Sequence, residues 1–153
     1  MAKSEKKDII VALNDSPGAW AALQTGLIMA KSEKSKLYLA YVYEVPRALP
    51  LETELPEELE KGDKILQKGM EICDEFDVES ETLFLQGRNA GPVLVDEVEE
   101  KSGDMLLIGV NHAFRFGDFL FGSTVKYILS NANCRVIAVH PEARFGEAKT
   151  EKS

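Results

Sequence analysis

The chain has 153 residues and a formal charge of −8, from 18 Lys+Arg against 26 Asp+Glu. One domain is expected at this length, and the acidic balance argues against a binder of phosphate backbones, so nucleic acid is not an expected partner. Two cysteines, Cys73 and Cys134, lie far apart without paired metal spacing, which speaks against a disulfide framework and a structural metal.

Along the chain, five short runs have strand character: Asp8–Leu13, Leu37–Val45, Val78–Leu85, Asp104–Gly109 and Arg135–His140. The basic start Met1–Lys7 leads only into Ile9-Ile10-Val11-Ala12-Leu13, shorter than the apolar region of about 7–15 residues in a signal peptide. No stretch approaches the ~20 apolar residues of a membrane span, so a soluble cytoplasmic protein is expected. After the first strand, Ser16 can cap a helix whose first residue is Pro17, and Ala19, Leu23, Leu27 and Ala30 make its buried face. The loop from Pro46 to Pro56 is proline-rich and reads as flexible. A second helix is predicted from Pro56 to Phe76, with Leu59, Leu66, Met70 and Cys73 inward; Gly62 and Gly69 argue against its being unbroken. A third begins near Pro92 and runs to Lys101. A fourth begins at Gly122-Ser123-Thr124 and buries Val125, Ile128, Leu129 and Ala132.

Strand alternating with helix predicts an α/β fold: an open, doubly wound sheet of five parallel strands with helices on both faces. The apolar first and fourth strands read as central, and ligands in such sheets bind beyond the carboxyl ends of strands where the strand order reverses. The domain spans residues 8–141, with tails 1–7 and 146–153 expected to be disordered. From Glu44 to Glu81 there are 13 acidic and 4 basic residues, which reads first as a solvated helix and second as a docking surface for a basic partner.

The stretch that carries chemistry is Gly109-Val110-Asn111-His112, nine residues, then Gly122-Ser123-Thr124. Glycine at a strand end admits close approach of a ligand, and glycine with hydroxyl residues at a helix start presents free amides to an anion. Alone, the same residues also serve as an ordinary turn and cap. With the opening Ile-Val-Ala-Leu-Asn-Asp-Ser, the turn Gln86-Gly87-Arg88-Asn89-Ala90 and the block from Asp104 to Val136, the sequence resembles the universal stress protein family. Its ATP-binding members carry Gly, two residues, Gly, nine residues, then Gly-Ser or Gly-Thr. Here His112 stands at the second glycine, and Asn14 stands where those members usually have Asp.

The resemblance implies strand order 3-2-1-4-5, a homodimer through the last strand (Arg135 to Val139), and binding of ATP or AMP, with Mg accompanying ATP. It places the nucleotide against Asn14, Asp15, Val42, Gly109, His112, Gly122, Ser123, Thr124 and Val125. No Gly-x-x-x-x-Gly-Lys-Ser/Thr, Gly-x-Gly-x-x-Gly, Gly-x-Ser-x-Gly or His-Glu-x-x-His motif is present. Hydrolysis is therefore expected to be slow at most, and the expected role is a stress-response sensor or switch acting on a regulatory protein partner. The alternative is an interaction module of the same family that no longer binds nucleotide, a reading favoured by His112 and Asn14.

Overall fold

The computed structural model describes residues 8–111, 114–115, 118–119 and 122–141, with side chains outside 112–121. Its elements, in chain order, are β1 (Ile9–Ala12), α1 (Pro17–Glu33), β2 (Leu37–Glu44), α2 (Pro56–Glu75), β3 (Ser80–Gly87), α3 (Ala90–Glu100), β4 (Met105–Gly109), β5 (Phe114–Arg115), β6 (Asp118–Phe119), α4 (Ser123–Asn131) and β7 (Arg135–Val139). Five parallel strands form one sheet in the order β3-β2-β1-β4-β7. That is the expected 3-2-1-4-5 arrangement. Two short antiparallel strands, β5 and β6, make a separate ribbon inside the stretch read from sequence as loop.

Two apolar layers cover the sheet. Ile9, Val11, Leu39, Tyr41 and Leu107 point toward α1 and α2, while Ile10, Ala40, Leu106 and Ile108 point toward α3 and α4. All four residues of β1 are buried, as a central strand covered on both faces requires. Helix α1 starts as its sequence dictates: Pro17 is the first helical residue, and Ser16 Oγ accepts from the amide of Ala19 at 3.2 Å.

Helix α2 is continuous through both glycines. A Cβ on Gly62 would come within 2.5 Å of the Tyr41 ring and 2.6 Å of Phe84, and one on Gly69 within 2.8 Å of Leu13. The glycines let the helix sit directly on β2, which outweighs their propensity cost of about 1 kcal/mol each. This contact also corrects the inward stripe: Leu59, Leu66 and Cys73 pack inward with Gly62, Ile65 and Gly69, whereas Met70 is exposed because Gly69 takes the place against the sheet. Leu129 is likewise exposed, since α4 buries only Val125 and Ile128. Helix α3 begins two residues before Pro92, which is tolerated in a first turn, where its missing N–H would be unpaired. The loop after β2 is anchored: Gln86 Nε2 donates to the carbonyls of Leu51 and Thr53, and Arg88 Nη1 to that of Pro46 at 2.6 Å.

Candidate functional site

The strand order reverses between β1 and β4, and the carboxyl ends of β1, β2 and β4 open there into a cavity of about 550 Å³. This is the crevice where doubly wound sheets take ligands, and its volume lies in the range of small-molecule sites. Of the residues singled out in the sequence, Asn14, Val42, Gly109, Gly122, Ser123, Thr124 and Val125 line it. Asp15 stands outside the lining, its Oδ1 facing Trp20 Nε1 at 3.4 Å. His112 falls outside the described residues.

Helices α1, α3 and α4 begin at this crevice, and their first amides are treated differently. At α1, Asn111 Oδ1 accepts from the amide of Gly18 at 2.9 Å, and Asn111 Nδ2 donates to Ser16 Oγ at 3.0 Å. Ser16 in turn donates to Asn14 Oδ1 at 2.5 Å, so one network closes this helix end and holds Asn14. At α3, Glu44 Oε2 accepts from the amide of Ala90 at 2.7 Å. At α4, Gly122 is the cap residue and supplies no side-chain bond. Among the described residues no side chain bonds the amides of its first turn, which lie beside the hydroxyls of Ser123 and Thr124. Such an end carries a partial positive charge and suits an anion.

Gly109 lines the cavity, but the requirement for glycine comes from behind it. A Cβ there would overlap the backbone of Gly18 and Ala19, so Gly109 lets α1 lie against β4. Gly122 is different: its φ is −71°, which any residue adopts, and a Cβ would meet nothing within 4 Å among the described residues.

The lining also includes Glu58, Lys61, Tyr41 and Tyr43 on the α2 side and Glu44 at the start of α3, none of them apparent from motif spacing. Glu44 had one local signal, as a charge closing the apolar run of β2; Asn111 had its place inside the motif. Burial, reinforced by Glu58 and Glu44, pushes the Tyr41 phenol above its ordinary value. The Tyr43 hydroxyl is buried and has no hydrogen-bond partner among the described residues.

A family model described as the universal stress protein family matches residues 6–140. The chain belongs to the universal stress protein family. Solved family structures share the fold. One from Archaeoglobus fulgidus is 20% identical, with a TM-score of 0.75 over 88% of this chain and 99% of that one. The Archaeoglobus fulgidus protein in complex with dAMP is 20% identical, with a TM-score of 0.68 over 87% of this chain and 97% of that one. A family protein from Arabidopsis thaliana with AMP bound is 18% identical, with a TM-score of 0.64 over 90% of this chain and 93% of that one. Among curated proteins the comparison finds no match.

Proposed function

We propose that the chain binds an adenine nucleotide, ATP or AMP, in the cavity between β1 and β4, and acts as a stress-response sensor or switch in the cytoplasm. The observation that carries the reading is the uncapped start of α4, which opens onto the cavity while the starts of α1 and α3 are closed by Asn111, Ser16 and Glu44. A phosphate would take the amides of Ser123, Thr124 and Val125, and the base would lie toward Val42 at the end of β2. The complexes of family members with dAMP and AMP support the same ligand class here.

The chemistry supplied by these residues is binding. Phosphoryl transfer needs a cation clamp and an oriented nucleophile near the phosphate. Among the described lining residues the only cation is Lys61 of α2, on the sheet face opposite α4, and the carboxylates are Glu44 of β2 and Glu58 of α2. Hydrolysis is accordingly slow at most, and magnesium enters with ATP.

The acting unit in this proposal is a homodimer. Strand β7 lies at the sheet edge with Val136, Ile137 and Val139 partly exposed, and an apolar edge strand needs cover. The functional test is mass spectrometry of small molecules released by denaturing freshly purified protein, followed by binding measurements with adenine nucleotides. Recovery of AMP or ATP is expected. No recovery together with no binding at millimolar concentration would overturn the reading and favour the nucleotide-independent interaction module.

A further inference from the structure

We infer that the cavity selects nucleotides carrying one phosphate over those carrying three; the inference rests on the nucleotide reading above and asks how much negative charge the site accepts. Each additional phosphate needs an amide cluster, a cation or solvent, so the answer lies in what the helix starts and charged side chains around the cavity already hold.

The start of α1 is spent internally. Pro17 has no N–H, the amide of Gly18 is taken by Asn111, and that of Ala19 by Ser16. The start of α3 holds a full negative charge, the Glu44 carboxylate 2.7 Å from the amide of Ala90. Helix α2 carries Glu57 and Glu58 in its first turn, and Glu58 lines the cavity. Among the described residues, α4 is the helix that meets the cavity with no side chain bonded to its first amides and no acidic residue in its first turn, since α3, which also has none in its own first turn, is closed by Glu44. That end offers the equivalent of about half an elementary charge, enough to orient one phosphate.

Among the described lining residues the charged side chains are Glu44, Glu58 and Lys61. Lys61 belongs to α2, on the sheet face opposite α4, and follows Glu58 by one turn. Two carboxylates against one ammonium leave the described lining acidic. The β and γ phosphates of a triphosphate would add like charge to a site whose second helix start is occupied by Glu44, and like charges at close range repel. A monophosphate meets the open α4 end without that repulsion.

The test is calorimetric titration of the full chain with adenosine, AMP and ATP, with and without magnesium, for the natural protein, Glu44→Gln and Glu58→Gln. Glu44→Gln keeps an oxygen for the Ala90 amide while removing the charge, and Glu58→Gln lies outside that cap should the first variant fold poorly. AMP is expected to bind at least about tenfold more tightly than ATP and than adenosine. At least one of the Gln variants should narrow the AMP-to-ATP ratio severalfold, chiefly by strengthening ATP. ATP binding as tightly as AMP in the natural protein would overturn the inference and leave the nucleotide reading intact. Adenosine matching AMP would overturn it too, because the α4 end would then contribute nothing. Absence of binding by all three would overturn the nucleotide reading itself.

Discussion

Gly109 and Gly18 are in backbone contact: at Gly109 there is no room for a Cβ, because the peptide of Gly18 occupies its place. Two glycines of one sequence motif therefore have different physical reasons, and substitution separates them. Gly109→Ala forces α1 away from β4 and is expected to cost about 2–3 kcal/mol, in the range of overpacked cores. Gly122→Ala meets open space and is expected to cost at most about 1 kcal/mol, as a poorer cap residue. Its methyl group would stand in the space proposed for the phosphate, so nucleotide affinity should fall while the fold holds. Urea unfolding of both variants, with AMP titration of the second, checks the contrast; equal destabilisation by the two would contradict it.

Among the described residues the buried Tyr43 hydroxyl has no hydrogen-bond partner. An unpaired buried donor carries a desolvation penalty of about 1–3 kcal/mol that its removal relieves. Tyr43→Phe should therefore be as stable as the natural chain or more stable, with an unfolding midpoint unchanged or higher. A loss of more than about 1 kcal/mol would mean that the hydroxyl is satisfied in solution.

What the sequence made legible was local. Ser16 before Pro17 is a helix start by chemistry that needs no distant partner, and the apolar runs of β1 and β4 announce central strands. Contacts between distant segments were not legible: Asn111 reaches Gly18 across 93 positions, and Glu44 reaches Ala90 across 46. The stripe of α2 was misplaced for the same reason. Gly69 looks like a weakness in a helix until Leu13 and Leu39 are found beneath it. Spacing marked the start of α4 as a candidate, but that among the described residues no side chain caps it emerges only when the starts of α1 and α3 are seen closed.

Burial raises the Cys73 thiol above its usual value, and it also raises Cys134. In the unfolded chain Cys73 loses its proton near its reference value of 9.0, while in the folded protein it stays protonated to higher pH. The unfolded state then binds fewer protons, so stability falls as pH rises from that reference value toward the folded one. Denaturant unfolding at about pH 7.5 and pH 9.5 should show the loss. Cys73→Ala should reduce that slope, while being less stable at both pH values because it opens a cavity. An unchanged slope in the variant would assign the alkaline loss to other groups.

The dimer proposed through β7 should sediment as about twice 17.0 kDa at tens of micromolar. Ile137→Lys places an ammonium on that strand and should shift the equilibrium toward monomer, with circular dichroism confirming that the sheet survives. A monomeric natural protein at that concentration would contradict the assignment.

The central claim is that the open start of α4 holds the phosphate of an adenine nucleotide, and a crystal structure of the chain grown with millimolar AMP tests it most directly. The account predicts phosphate oxygens about 2.7–3.2 Å from the amides of Ser123, Thr124 or Val125, with the base toward Val42. A phosphate seated at another helix start, or a cavity without nucleotide under those conditions, would contradict it.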